Sequence, residues 1–287
     1  MEHVRIGDDT IEVVILPDVG ARLHRLRVDG HDLLRTPADP SDHVRDPFSW
    51  GAYVMAPWCN RIEVGSVQVG ARRVTLDANF PDGSAIHGQV YARPWEQADE
   101  GRFLIRAGGD GWPWEYEVGL HVAIVDRSVR IEQTLTNLAS DPMPAGIGLH
   151  PWFRRPLLVA IRGDVVYAVN TATEPQPEPV NGPFDRRQIG EMAADLDSTW
   201  TDLPDVPVEL RWPTLGLRAS IRINAPSRYV VAANPSQVDA IAVEPQTHAP
   251  QGLRRTLNGE PGGLTILDPV SALSLILEIA FERLDQA

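Results

Sequence analysis

The sequence has few features of secreted or membrane-bound proteins. Cys59 is its only cysteine, so no intrachain disulfide can form, which fits a reducing compartment. No segment approaches the roughly 18 consecutive apolar residues that a membrane-spanning helix needs. The first residues do not combine a basic region with an apolar run, and no Asn-x-Ser/Thr glycosylation site is present. We therefore expect a cytoplasmic protein with no signal peptide and no membrane partner.

Positive charge is scarce relative to negative charge. Lys and Arg total 26 whereas Asp and Glu total 39, which gives a formal net charge of −13. This balance argues mildly against a strongly anionic substrate, although a local arginine cluster could override it. An acidic protein also repels phosphate backbones, so we expect no nucleic-acid partner.

Several common catalytic motifs are absent. The sequence contains no Gly-x-Gly-x-x-Gly, Walker loop, His-Glu-x-x-His, Cys-x-x-Cys or Gly-x-Ser-x-Gly. Its eight histidines include no His-x-His pair, so a metal site on one strand is not indicated, although distant residues could still assemble one. We therefore expect no cofactor and no bound metal.

Apolar and polar residues alternate along much of the chain. The 25 prolines and 23 glycines are spread throughout and leave little room for long helices. Only residues 186–196 have the pattern of a helix. Many strands and almost no helix predict an all-β protein, an antiparallel sandwich or barrel. The period of two is clearest in residues 116–124, 129–135, 217–223 and 273–281.

Two proline-rich stretches, residues 36–47 and 174–183, are predicted to be long connections. Neither has the length or composition of a linker between domains, and 287 residues suit one large β domain. We therefore predict a single domain over residues 1–287, with functional residues concentrated in its long loops.

Residues 148–153 read Gly-Leu-His-Pro-Trp-Phe. His150 ends an apolar run and Pro151 follows it, so we predict that the strand stops here in a stiff turn. Trp152 and Phe153 then supply flat aromatic faces. An imidazole in this setting suits proton transfer to a bound polar ring, whereas the structural alternative is a core histidine at a strand end.

Glu244 follows an apolar run, residues 240–243, and precedes Pro245. A carboxyl group at the end of such a strand is partly desolvated, which raises its pKa and makes it a better base. A solvated strand end is the structural alternative. Because His150 also precedes a proline, an acid and a base could converge on one ligand if both strands belong to one sheet.

Two further segments carry residues that suit sugar hydroxyls. Asn60 and Arg61 follow a Pro-Trp turn, and together they offer several donors and an acceptor. His87 precedes Gly88, which permits a close backbone approach or a positive φ beside the imidazole. The structural alternatives are a surface arginine at a strand start and a turn histidine bonded to backbone.

These segments occur in an order that resembles the aldose 1-epimerase (galactose mutarotase-like) family. The resemblance covers about residues 7–283. It implies a large antiparallel β-sandwich with few short helices that binds a sugar on the concave face of one sheet. The matching motifs are Asn60-Arg61-Ile62, His87-Gly88, Gly111-Trp112-Pro113, His150-Pro151-Trp152-Phe153 and Glu244-Pro245-Gln246-Thr247.

The resemblance also implies roles for individual residues. His150 is expected to be the general acid and Glu244 the general base of a cofactor-independent isomerase that interconverts the α and β anomers of an aldose. A modest upward shift of the His150 pKa would keep its imidazole protonated at neutral pH. The predicted substrate-binding residues are Asn60, Arg61, His87, Trp152 and Asp197.

Two of these assignments depart from a simple match. Asp195 and Asp202 lie near Asp197 in the sequence and compete for its role. Trp152 stands where the family more often has tyrosine, so an indole N–H replaces a phenol hydroxyl and sugar contacts there are expected to differ.

Two alternative functions stay open at this point. Arg154 and Arg155, with Arg73, would suit a hexose-6-phosphate 1-epimerase. A non-catalytic carbohydrate-binding protein on the same scaffold would need the aromatic residues but no acid–base pair. We expect a small-molecule sugar as the ligand and a monomer or homodimer, and the sequence does not identify the aldose.

Overall fold

The computed structural model describes residues 2–109, 111–168 and 175–284. Within these residues, the chain forms 25 strands and two short α-helices, α1 (Asp42–Arg45) and α2 (Gly252–Asn258). Neither of these two described helices is long and apolar enough to cross a membrane. The remaining helical segments are single 3₁₀ turns at Pro17–Val19, Gly182–Phe184 and Pro213–Leu215.

The larger sheet carries four of the residues singled out above, His150, Trp152, Asp197 and Glu244. Its eleven described strands are β1 (Val4–Gly7), β2 (Ile11–Leu16), β3 (Arg22–Val28), β4 (His31–Asp32), β5 (Ala52–Met55), β15 (Gly148–Arg154), β17 (Val165–Tyr167), β18 (Pro177–Pro179), β19 (Asp197–Thr201), β22 (Tyr229–Ala233) and β23 (Ala240–Gln246). They follow the order β1-β2-β3-β5-β15-β23-β22-β19-β17-β18, and β4 pairs with β3. Strands distant in sequence, β5, β15 and β23, therefore lie side by side at its centre.

The second large sheet has eight described strands in the order β10-β11-β12-β13-β25-β21-β20-β16. They are β10 (Glu96–Asp99), β11 (Arg102–Gly109), β12 (Trp112–Val125), β13 (Ser128–Asn137), β16 (Leu158–Ile161), β20 (Val208–Trp212), β21 (Leu217–Asn224) and β25 (Ala272–Arg283). Three small antiparallel pairs complete the strands: β6 (Arg61–Ile62) with β9 (Ala85–Ile86), β7 (Gly65–Val69) with β8 (Arg72–Leu76), and β14 (Met143–Ala145) with β24 (Thr265–Leu267).

The apolar side chains of the predicted alternating pattern pack between the two large sheets. Ile131 and Leu277 of the second sheet share one buried core with Leu149 and Phe153 of the larger sheet. Because side chains alternate between the faces of a strand, His150 and Trp152 lie on the other face of β15. The all-β class and the antiparallel sandwich are confirmed, and these two site residues lie on the sheet face turned away from this core.

The predicted helix at residues 186–196 is wrong, because none of these described residues is helical. Their backbone groups pair with β16 instead: Ile161 N–H donates to the Arg186 carbonyl, and Val159 N–H donates to the Gly190 carbonyl. Gly190 is also a poor helix former. Tertiary pairing has therefore overridden a weak local preference.

The two predicted connections also contain some regular structure. The helical turn α1 lies within residues 36–47, and the short edge strand β18 lies within residues 174–183. Glu174 itself lies outside the described residues. Helix α2 was not predicted; it begins after Gln251 and ends at Gly259, both with left-handed backbone.

Candidate active site

His150 lies between Tyr53 and Glu244 in one row across the larger sheet. Strand β15 pairs with β5 so that His150 faces Tyr53, and the two rings stack with centroids 4.6 Å apart and planes 21° apart. On the other side Gly148 pairs with Gln246, so the antiparallel register places Glu244 opposite His150. His150 Nε2 lies 3.1 Å from Glu244 Oε1. The structure therefore brings together the two residues expected to be the acid and the base.

The prolines beside these two residues do not end their strands, contrary to the sequence prediction. Both β15 and β23 continue through them, to Arg154 and Gln246. Among the described residues of β15 and β23, no ladder pair joins 149–151 to 243–245. Each strand stays paired there with its outer neighbour, β5 or β22. Because proline has no N–H to donate, the ladder is interrupted only locally, at the level of His150 and Glu244.

Burial controls the protonation of this pair. The side chains of His150 and Glu244 are 6% and 3% exposed. Burial lowers the pKa of His150 to about 3, with a smaller contribution from Arg22, so the upward shift that would keep this imidazole protonated at neutral pH does not occur. Burial also raises the pKa of Glu244 well above its usual value; the Asp197 charge adds to this effect and the Arg61 charge opposes it. Both residues are therefore driven toward their neutral forms.

The second polar atom of each side chain is unpaired within the described part of the chain. Glu244 Oε2 and His150 Nδ1 are buried and have no hydrogen-bond partner among the described residues. Buried polar atoms in folded proteins nearly always have a partner, so an unpaired one needs an explanation. Glu244 lines the cavity described below, where its second oxygen can accept a proton or a hydrogen bond from a bound hydroxyl.

Asn60 and His87 hold each other through two hydrogen bonds. Asn60 N–H donates to His87 Nδ1, and His87 N–H donates to the Asn60 carbonyl, both at 3.1 Å. Their φ angles of 57° and 59° are in the left-handed region, which is uncommon for residues other than glycine. Since Nδ1 is an acceptor, Nε2 carries the proton of the neutral ring, and burial lowers the pKa of His87. His87 therefore acts as a hydrogen-bond donor.

This tautomer bears on whether the site suits a metal. Ligand atoms of His87, His150 and Glu244 lie within 4.8 Å of one another, a spacing that three metal ligands could have. An imidazole nitrogen binds a metal through its lone pair, however, and the lone pair of His87 is directed at the Asn60 N–H. The donor set therefore fits a sugar hydroxyl better than a metal ion.

Arg61 begins strand β6 at the edge of the cavity. Its Nε donates to Asp82 Oδ2 at 2.7 Å, and its guanidinium lies 5.3 Å from the centre of the Phe80 ring. The side chain is 21% exposed. These contacts orient the guanidinium and leave part of it at the cavity surface, where a hydroxyl can bind it.

A second row of the sheet forms the floor beside the acid–base pair. Trp152 pairs with Ala242, Ala242 with Ala233, and Ala233 with Asp197. Of the two alanines between the indole and the carboxylate, Ala233 lines the cavity, whereas Ala242 is fully buried against Trp152. Among the residues lining the cavity, the register thus gives Asp197 a defined position facing Trp152 across this floor.

The two competing aspartates have other surroundings. Asp195 also lines the cavity, but its Oδ1 accepts the backbone N–H of Ser236 at 2.8 Å. Asp202 lies in a separate surface depression together with Arg162 and Arg228. Of the three aspartates, Asp197 is the one whose charge raises the pKa of Glu244.

Trp152 does not offer its indole N–H to a sugar. That group donates to the Phe48 carbonyl at 2.6 Å, so the ring alone faces the site, 5.1 Å from the His150 ring. Phe48 and Ser49 themselves line the cavity and were not predicted. Their only sequence signal was their position at the end of a long proline-rich connection.

The cavity over these rows has a volume of about 390 Å³, within the range of roughly 300–1,000 Å³ typical of small-molecule sites. Its charged lining residues are Arg61, Asp195, Asp197 and Glu244. The arginines considered for a phosphate do not line it: Arg154 and Arg155 bind backbone carbonyls of neighbouring loops, and Arg73 belongs to β8.

The chain belongs to the aldose 1-epimerase family, whose model matches residues 2–265. Comparison with curated protein sequences gives no match. Several solved structures share this fold, although their sequence identity to this chain is low. A galactose mutarotase-like protein from Clostridium acetobutylicum is 19% identical, with a TM-score of 0.83 and coverage of 98% of this chain and 95% of its own.

Two further solved structures show the same fold. An aldose epimerase homologue from C. elegans is 17% identical, with a TM-score of 0.81 and 99% of both chains covered. A galactose 1-epimerase from Lactobacillus acidophilus is 16% identical, with a TM-score of 0.75 and coverage of 97% of this chain and 93% of its own.

Proposed function

We propose that the protein is an aldose 1-epimerase that interconverts the α and β anomers of an uncharged aldose. The observation that carries this proposal is the buried His150–Glu244 pair, whose nitrogen and oxygen lie 3.1 Å apart beside a cavity of small-molecule size. Family membership supports a sugar epimerase in general.

The pair needs one proton in total for this reaction. Transfer of that proton from Glu244 to His150, across the 3.1 Å contact, converts the neutral pair into imidazolium and carboxylate. The imidazolium is then the acid for the ring oxygen, and the carboxylate is the base for the anomeric hydroxyl. Burial disfavours this charged form, so its two proton transfers to and from the sugar are favourable.

Ring opening follows from those transfers. His150 protonates the ring oxygen while Glu244 removes the proton of the anomeric hydroxyl, and the C1–O5 bond breaks to give the open-chain aldehyde. The pair is left in the neutral form that burial favours. After rotation about C1–C2, the same transfers in reverse close the ring on the other face of the carbonyl. A positioned acid and base each contribute about 10²–10⁴-fold.

The other lining residues hold the sugar during this exchange. His87 Nε2–H and the Arg61 guanidinium donate to its hydroxyls, and Asp197 accepts from them. Trp152 provides an apolar surface for ring C–H groups. Asn60 fixes the tautomer of His87. Its side-chain amide oxygen does not contact the sugar, because it accepts the backbone N–H of Arg61 at 2.9 Å.

Charge in the cavity favours an uncharged sugar over a sugar phosphate. Three of its four charged lining residues are carboxyl groups, and its one cation, Arg61, is already paired with Asp82. A phosphate dianion placed there would be repelled by Asp195 and Asp197. Among the described lining residues, the hexose-6-phosphate alternative thus has no cation other than the paired Arg61.

Exchange NMR tests the proposal directly. Saturation of the α-anomer signal of galactose or glucose should reduce the β-anomer signal when wild-type protein is added, and glucose 6-phosphate should respond at least tenfold less. Sugar binding without faster exchange would replace the proposal with a non-catalytic carbohydrate-binding function. Preferential exchange of the phosphate would establish the other alternative.

A further inference from the structure

Arg22 is a buried cation without an anionic partner. Its side chain is completely inaccessible, and no carboxylate oxygen of the described residues lies within the 4 Å of an ion pair. Its guanidinium donates to three backbone carbonyls instead, those of Pro47 at 2.7 Å, Trp50 at 3.0 Å and Tyr91 at 3.1 Å. A buried charge is costly unless it is well bonded, so its placement needs a reason.

The carbonyls that Arg22 binds belong mainly to residues 47–50, here called the 47–50 segment. Arg22 holds the carbonyls at its two ends. The two carbonyls between them are also bound from the sheet: Trp152 donates to Phe48, and Arg35 donates to Ser49 at 2.5 Å. Side chains therefore fix four consecutive peptide groups of a segment that has no regular secondary structure.

The 47–50 segment forms one wall of the cavity. Phe48 and Ser49 line it, and the Phe48 ring lies 5.5 Å from Phe80 and 6.1 Å from His87. The position of this wall thus depends partly on two anchors that do not themselves line the cavity, Arg22 and Arg35. Arg22, the anchor of both ends, is one of them.

Arg22 also lies at the start of the row that contains the acid–base pair. Leu23 pairs with Ala52, so the register places Arg22 opposite Tyr53. Its guanidinium carbon lies 4.6 Å from the centre of the Tyr53 ring, which in turn stacks on His150. One side chain therefore contacts both the cavity wall and the ring beneath the acid.

We propose that Arg22 is a positioning residue for sugar binding, which acts by holding the 47–50 segment so that Phe48 stays against the bound sugar. This role rests on the proposed function, because it assumes that the cavity binds an aldose. It assigns no contact between Arg22 and the sugar; the contact is made by Phe48.

A double-mutant cycle tests the proposal. Arg22→Met and Phe48→Ala should each raise the KM for the aldose about tenfold and change kcat less than threefold, because they remove binding common to ground and transition states. In the Phe48→Ala background, Arg22→Met should raise the KM by less than a further twofold, because the effects of two residues that act through one contact are not additive. Arg22→Lys retains the charge and hydrogen-bond donors, so its KM should lie between those of the wild type and Arg22→Met.

The matched control is Arg186→Met. Arg186 also binds two backbone carbonyls, those of Val159 and Gly190, but it does not line the cavity. Its loss should leave KM within twofold of wild type. If Arg22→Met does not fold, the same cycle is run with Arg22→Lys, for which a smaller but equally non-additive rise in KM is expected.

Three outcomes would overturn the proposal: an unchanged KM in Arg22→Met, an unchanged KM in Phe48→Ala, or independent effects that multiply in the double variant. A wild-type protein that does not exchange anomers would instead overturn the proposed function. In that case, the dissociation constant for galactose, measured by calorimetry, replaces KM in the same cycle.

Discussion

The backbone N–H of Asn60 donates to Nδ1 of His87, and the backbone N–H of His87 donates to the carbonyl of Asn60. The two residues meet from β6 and β9, which are themselves paired, and both have left-handed backbone. This reciprocal contact decides which nitrogen of His87 carries its proton. It thereby leaves the imidazole with a donor, Nε2–H, and without a free lone pair for a metal ion.

Chelation should leave catalysis unchanged. The His87 lone pair is occupied by the Asn60 N–H, so the cluster of His87, His150 and Glu244 has no preformed set of three metal-binding atoms. Protein dialysed against EDTA should exchange anomers at the wild-type rate, and added Zn²⁺ should not increase it. A rate lost on dialysis and restored by Zn²⁺ would contradict this tautomer assignment.

A larger side chain at position 233 should block the sugar. Ala233 lines the cavity and pairs with Asp197, so the branched side chain of Ala233→Leu would occupy the space needed by the ligand. Galactose affinity by calorimetry should fall at least tenfold, with little change in the melting temperature. Ala233→Ser, which keeps the side chain small, is the matched control and should bind like wild type. Equal affinity in both variants would place the sugar elsewhere.

Acid should destabilise the fold partly through His43. Burial, aided by the nearby Arg22 charge, lowers the pKa of His43 to about 2, whereas a histidine in the unfolded chain titrates near 6.5. Below about pH 6.5 the unfolded state therefore binds a proton that the folded state does not. The stability due to this group is complete above that pH and is lost as the pH falls toward the folded pKa.

The variant His43→Gln should remove this contribution. Between about pH 4 and 5.5, the free energy of unfolding of the wild type should fall more steeply than that of the variant, by about 1.4 kcal/mol per pH unit. Urea unfolding at a series of pH values measures the two slopes. They should coincide between about pH 7.5 and 8.5, and equal slopes at acid pH would contradict the prediction.

Much of the fold could be predicted from the alternation of side chains. The period of two in residues 129–135 and 273–281 identifies strands that the structure extends to β13 and β25. Local sequence signals failed where tertiary contacts determine the backbone conformation. Arg186 and Gly190 accept hydrogen bonds from β16 instead of forming a helix, and Pro151 and Pro245 lie within strands. A proline is tolerated there because each strand keeps an outer neighbour on its other side.

The site was predictable only in part. His150 and Glu244 could be recognised as a pair from their matching sequence contexts, although register, not a shared turn, brings them together. Phe48 and Arg22 could not, because their roles depend on where the 47–50 segment folds back over the sheet. The direction of the His150 pKa shift also needed the structure, because it is set mainly by complete burial of the imidazole.

Anomer-exchange NMR on Glu244→Gln and His150→Asn tests the central claim most directly. Each variant keeps a polar side chain of similar size but cannot carry out its proton transfer, and we expect each to lower exchange at least 100-fold toward the spontaneous rate. Galactose binding by calorimetry and the melting temperature should show that both variants remain folded and bind the sugar. Folded variants that exchange anomers at the wild-type rate would contradict the assignment of His150 and Glu244 as acid and base.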